Sequence, residues 1–281
     1  MLQMHAMRPE ELDAVKELWA LSFGDDGAFV DRFLELCPPE RFQVLLEDGV
    51  VRSFLALVPA TLVFPDAAPV KADYVYALCT HPDCRGRGLG GQILNYADYF
   101  SRTHWAEAIC TVPAEEGLHA FFRRWGYREG FTTWVTTLPA AALPAPRGDL
   151  IQLEPGEYGR RREKLLSGLP HLAYPEAALA FQAALGPLYA LEMDGVTGLA
   201  AVETAGERVI MKELLLPGKL AAEGAALVAA AHPASEYELR TPWPTGLVGE
   251  DRREFGMWKP LDGKPRPTLA GGGGYLGLAF D

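Results

Sequence analysis

The stretch Arg85-Gly86-Arg87-Gly88-Leu89-Gly90-Gly91 concentrates the residues of this chain best suited to hold an anion. Its glycines let the backbone turn sharply and approach a ligand closely. Successive N–H groups in such a loop point into one concavity that suits phosphate. Leu89, Ile93, Tyr96 and Phe100 then recur on one side of a helical period, so a helix is expected to open near Gly88. The first N–H groups of that helix lack intrahelical partners and carry the positive end of its dipole. Arg85 and Arg87 add fixed positive charge with several donors each. Together these features suit a diphosphate; the alternative is a surface turn with two solvated arginines.

An apolar run from Tyr74 to Thr80 leads into the loop through His81-Pro82 and reads as a strand. The loop lacks the Gly-x-x-x-x-Gly-Lys-Ser/Thr of a nucleotide-hydrolysing P-loop. What remains is Arg85-x-x-Gly88-x-Gly90 after Leu78-Cys79-Thr80-His81-Pro82. This resembles the acetyl-CoA signature of the GCN5-related N-acetyltransferase (GNAT) family. The resemblance implies acetyl-CoA as cofactor, with Arg85, Gly86, Arg87, Gly88, Leu89, Gly90 and Gly91 wrapping its pyrophosphate. It implies that Leu78, Cys79 and Thr80 pair with pantetheine through their backbone. The implied activity is direct acetyl transfer from acetyl-CoA to an amine of a small molecule or peptide.

The bounds set by composition agree. With 281 residues the chain is long enough for two domains. No apolar run reaches the length of a membrane span, and the N-terminal MLQMHAMRPEEL lacks the apolar core of a signal peptide. Cys37, Cys79, Cys84 and Cys110 show no paired metal-ligand spacing, so no metal site and a cytoplasmic protein with reduced thiols are expected. A net charge of -11 argues against nucleic acid as the main partner and mildly favours a cationic acceptor.

The elements that must position the loop follow in order. Leu12, Val15, Leu18 and Trp19 mark one helical face, and a second helix runs from about Ala28 to Cys37. In the resembling family this helix–loop–helix walls the acceptor pocket, which makes Trp19, Phe23 and Asp25 candidate substrate contacts. By residue type alone the segment between them is an ordinary acidic turn. Phe42 to Leu46 and Val51 to Val63, broken by Glu47-Asp48-Gly49, predict a hairpin. After the Gly88 helix come a strand over 106–112, a helix over 115–125 and a strand over 130–138. The fold class is α/β (α+β), a mixed sheet with flanking helices and one parallel pair joined by the Gly88 helix.

Leu138 to Gly148, rich in proline and alanine, reads as a linker. That places a cofactor-binding domain at 1–138, a linker at 139–149 and a second domain at 150–281. The second half repeats the pattern of hairpin, long strand, helix and strand, with Pro217-Gly218 where the glycine loop would stand. It reads as a diverged repeat that has lost its cofactor loop. Tandem halves of this kind resemble the first two domains of the enhanced-intracellular-survival acetyltransferases. In that branch the C-terminal carboxylate serves as general base, a role that would fall on Asp281 here. The tail from Gly274 to Phe280 is apolar and is expected to dock, with an edge strand of the second domain as the plainer alternative.

Acetyl transfer needs the thioester placed against a free amine, a base, and a donor for the oxyanion. The resemblance puts the oxyanion donor at a backbone N–H near Cys79. Side-chain candidates for the base are Asp73, Tyr74 and Tyr76, with Tyr76 nearest the expected acetyl position; a half-buried strand tyrosine is the alternative. Cys79 itself reads as a small strand residue rather than a nucleophile, for want of a His or Asp partner. Many family members carry a tyrosine, as general acid, four residues before a Gly-Phe/Tyr pair. That position is Phe122 here, before Gly126-Tyr127, and phenylalanine donates no proton.

Overall fold

Asp48 and Gly49 both adopt positive φ, 50° and 80°. Two such residues make the tight turn whose twist suits a hairpin. They join β2 (Phe42–Glu47) to β3 (Val50–Phe64), with Glu47 opposite Val50. Around this hairpin the computed structural model describes residues 1–193, 195–264, 269 and 273–280, in two units.

The first unit holds 1–62, 69–128 and a return segment beginning at Met257. It starts with β1 (Leu2–Ala6), which pairs antiparallel with β2, then α1 (Leu12–Phe23) and α2 (Gly27–Leu36). Gly24, at φ 81°, ends α1, and Asp26 caps α2 by accepting from the Phe29 N–H at 2.8 Å. After the β2–β3 hairpin come β4 (Ala67–Thr80), α3 (Leu89–Thr103), β5 (Ala108–Thr111) and α4 (Glu116–Arg124). β4 and β5 run parallel, joined by α3, as their sequence order predicts.

Alternation along the strands sorts the side chains of this unit. Leu55, Leu57, Val75 and Ile109 pack with Leu89, Ile93 and Ala97 of α3 and Phe122 of α4. Phe42, Phe54 and Tyr76 stack instead with Trp19 of α1 and Phe33 of α2, at ring-centroid separations of 4.9–6.4 Å. The sheet is therefore covered on both faces.

The second unit holds 63–68, 129–256 and the C-terminal tail. Its elements are β6 (Arg128–Pro139), β7 (Asp149–Gln152), α5 (Pro155–Leu165), β8 (His171–Ala173), α6 (Glu176–Leu185), β9 (Leu188–Met193), β10 (Val196–Ala205), β11 (Arg208–Leu215), α7 (Ala221–Ala231) and β12 (Glu236–Thr241). Its strand order is β6-β12-β11-β10-β9-β7. β9, β10 and β11 are antiparallel neighbours, and β11 pairs parallel with β12 across α7. The first unit repeats that plan in β2-β3-β4-α3-β5, so the expected internal repeat is present in the topology.

Two sequence expectations need correction. A boundary at 138 cuts through paired structure: β6 belongs to the second unit, where Pro139 to Trp134 pair with Glu236 to Thr241 of β12. Residues 140–142 of the expected linker form a short 3-10 turn. A last strand, β13 (Asp251–Pro260), was not legible. From Met257 it returns to the first unit and pairs antiparallel with β5, Met257 opposite Thr111 and Pro260 opposite Ala108. Lys259 fixes it there, ion-paired to Asp98 of α3 and donating to the Trp125 carbonyl at 2.8 Å.

The tail is docked, though not on an edge. Gly274 bridges Phe131 of β6 and Tyr275 bridges His171 of β8, both in parallel sense. Tyr275, Leu276, Leu278 and Phe280 are buried, and the Phe280 ring packs against Tyr174 and Phe181. Asp281, the expected general base, lies outside the described residues.

Candidate active site

β4 and β5 pair only from Ala72/Ala108 to Val75/Thr111. β5 ends there while β4 continues to Thr80, so a gap opens beside the last residues of β4. Between the two stretches Ala77 takes φ 53°, a left-handed conformation rare for a residue with a Cβ. A residue so placed inside a strand is the mark of a bulge.

The bulge changes which backbone groups face the gap. In an extended strand the N–H and C=O of one residue point to the same side, and neighbouring residues alternate. The Val75 carbonyl accepts from Thr111 Oγ1 on β5 at 3.1 Å. The Cys79 carbonyl accepts from Ser53 Oγ on β3 at 2.5 Å, and the His81 N–H donates to the Arg52 carbonyl on β3 at 2.8 Å. Residues 75 and 79 would face the same neighbour in an unbroken strand; Ala77 reverses the sense. Leu78 and Thr80 therefore face the gap, and Cys79 faces β3. The Cys79 N–H, the expected oxyanion donor, thus faces β3, and the Leu78 N–H faces the gap. The Cys79 side chain is also inert: burial pushes its thiol up from 9.0 to about 12.

At the end of the gap stands the glycine loop. Its first turn is a 3-10 segment, 82–84, in which His81 Nδ1 accepts from the Asp83 N–H at 3.3 Å. Gly86 and Gly88 sit at φ 76° and 79°. A Cβ at either would meet open space, so the backbone conformation alone demands glycine there. Gly91 answers to packing instead: a Cβ would lie 1.8 Å from Trp125 Cζ2. Gly88 precedes α3 as its N-cap, and no side chain caps that helix end. The N–H groups of Leu89, Gly90 and Gly91 are thus left for an outside acceptor, at the positive end of a 15-residue helix.

The two arginines differ. Arg85 Nε donates to the Thr80 carbonyl at 3.2 Å, and its terminal nitrogens have no protein partner among the described residues. Arg87 faces Glu47 across two parallel bonds, Nη1 to Oε2 at 3.0 Å and Nη2 to Oε1 at 2.5 Å. Its hydrogen bonds hold the Glu47 carboxyl below its usual range.

Of the residues expected to bind substrate, Trp19 is buried. It is 1% exposed, in the aromatic core. Its Nε1 donates to Asp25 Oδ2 at 2.8 Å, so Trp19 holds Asp25 in place. Phe23, 45% exposed, lies edge-on to Trp19. Asp25 and Phe23 are therefore brought together at the α1–α2 turn. Tyr76 is half-buried against Phe33, one residue before the bulge. Asp73 and Tyr74 lie upstream, opposite Ile109 and Cys110 where the strands are still paired, and Asp73 is ion-paired to Arg41. Phe122 is 4% exposed in the core.

Residues 3–130 match the family model described as an acetyltransferase (GNAT) domain. A GCN5-related N-acetyltransferase from Kribbella flavida shares 17% identity at TM-score 0.70, covering 93% of this chain and 72% of its own. Eis1 from Mycobacterium abscessus shares 14% at TM-score 0.60, covering 92% and 74%. A tandem GNAT protein from the clavulanic acid biosynthesis pathway shares 18% at TM-score 0.59, covering 95% and 100%. No curated protein matches the sequence. The matched segment belongs to the GNAT acetyltransferase family. Across both units the fold is that of the tandem type.

Proposed function

We propose that the protein is an acetyl-CoA-dependent N-acetyltransferase acting on an amine of a small molecule or peptide by direct transfer. The observation that carries this reading is the gap beside β4, opened by the Ala77 bulge and leading to an uncapped helix end at Gly88. The N–H groups of Leu89, Gly90 and Gly91 and the Arg85 guanidinium would hold the pyrophosphate. The gap-facing backbone of Leu78 and Thr80 would pair with pantetheine. Acetyl-CoA supplies the activated thioester. The Leu78 N–H would donate to the negative charge that develops on the acyl oxygen. Asp25, held by Trp19, and Phe23 would orient a cationic acceptor, and Tyr76 would take up its proton.

Calorimetric titration of acetyl-CoA, with Gly88→Glu as control, tests the cofactor site. Glutamate cannot adopt φ 79° without strain and would put a like charge beside the phosphate. Micromolar binding lost in the variant is expected, followed by thiol release with an amine panel. Binding without thiol release would favour a second reading, a CoA-binding regulatory module. The buried Phe122, where many relatives carry a general acid, is the observation behind it. No binding by the parent protein would refute both.

A further inference from the structure

Resting on the cofactor reading above, we propose that Arg87 is a positioning residue and that its partner Glu47 is part of the same device. Arg85 supplies the loop's charge, while Arg87 supplies its order.

The geometry separates the two arginines. Arg87 spends both terminal nitrogens on Glu47, and Nη1 also reaches Cys84 Sγ at 3.7 Å. A bidentate guanidinium–carboxylate pair fixes orientation as well as distance. Glu47 is itself fixed, as the last residue of β2 opposite Val50, against the tight Asp48-Gly49 turn. Cys84 is buried at the start of the loop. The contact therefore ties the glycine loop to a rigid hairpin between two positions, Gly86 and Gly88, where the backbone is conformationally permissive. Without it, the loop would sample many more states and the N–H groups would converge less often. A phosphate would also meet one net positive charge from this pair of arginines, since Glu47 neutralises Arg87.

The sign of one substitution separates this role from direct phosphate binding. Glu47→Gln removes the partner and leaves Arg87 charged. If Arg87 were a phosphate ligand competing with Glu47, the variant would bind acetyl-CoA more tightly. If Arg87 orders the loop, the variant binds about three- to tenfold more weakly. Arg87→Gln loses a similar factor, and the double variant loses no more than either single one. The salt dependence of affinity supplies a second readout. Arg85→Gln flattens it, whereas Glu47→Gln with Arg87→Gln, which removes no net charge, leaves its slope as in the parent. The exchanged pair, Glu47→Arg with Arg87→Glu, recovers most of the affinity only if the contact acts by position.

Tighter or unchanged binding by Glu47→Gln, or no recovery by the exchanged pair, overturns the proposal. Hydrogen exchange of the unliganded protein keeps the test independent of the cofactor reading. Faster exchange at residues 86–91 in Glu47→Gln is expected, and equal exchange refutes the ordering role. Failure of the parent protein to bind acetyl-CoA would strike the cofactor reading alone, with the exchange result still deciding the role of Glu47.

Discussion

Replacing Arg162 by methionine should destabilise the second unit severely, and the structure says by how much. Arg162 is 1% exposed on α5, and its partner Glu213 on β11 is 0% exposed. Nε donates to both Glu213 oxygens, at 3.1 and 2.9 Å. The terminal nitrogens donate to the Leu172 carbonyl at 2.8 Å and to the Leu276 carbonyl of the tail at 3.2 Å. Burial works against the guanidinium charge, and Glu213 more than offsets it, so the guanidinium stays charged. Methionine fills much of the volume but leaves Glu213 with the Tyr158 hydroxyl at 2.8 Å and strands two carbonyls. Breaking a buried pair on one side costs about 3–5 kcal/mol. With one kcal/mol worth about 2–4 °C in a unit of this size, the melting point should fall by roughly 6–20 °C. Hydrogen exchange at the Tyr275 N–H, bonded to the Pro170 carbonyl at 2.8 Å, reads this unit separately from the first. Arg162→Met with Glu213→Leu removes both charges and should recover most of the loss. A single variant costing under about 1 kcal/mol, or a double variant worse than the single, would refute the reasoning.

Three further outcomes follow from the first unit. Gly91→Ala should cost about 1–3 kcal/mol by overpacking against Trp125, whereas Gly91→Ala with Trp125→Leu should restore part of it; denaturant titration measures both. The Cys37 thiol is pushed by burial from 9.0 to about 12, so an unfolded chain releases this proton at a lower pH than the folded one. Stability should therefore be unaffected by this group below pH 9 and fall by about 1.4 kcal/mol per unit between 9 and 12, a slope that Cys37→Ala reduces; an unchanged slope would contradict it. A fragment of residues 1–138 should fail to unfold cooperatively by circular dichroism, because β5 loses β13 and buried Asp98 loses Lys259.

What the sequence alone determined is local. Glycines at 86 and 88, an apolar strand before them and a helical period after them specify the loop and its helix, since each signal lies within a few residues of the feature it encodes. The repeated strand–strand–strand–helix–strand plan was legible for the same reason. Tertiary structure decided the rest. β13 is charged and lacks alternation, so only its pairing with β5 makes it a strand. Alanine at 77 gives no sign of a bulge, yet that bulge moves the gap-facing N–H from Cys79 to Leu78. Trp19 carries the same apolar period whether it lines a pocket or a core, and its distant neighbours Phe42, Phe54 and Tyr76 close the core around it. Glu47 and Arg87 lie forty residues apart, and the fold alone makes them a pair. A chain's periodicity states what each segment prefers; contacts across long sequence separations state what each side chain is left free to do.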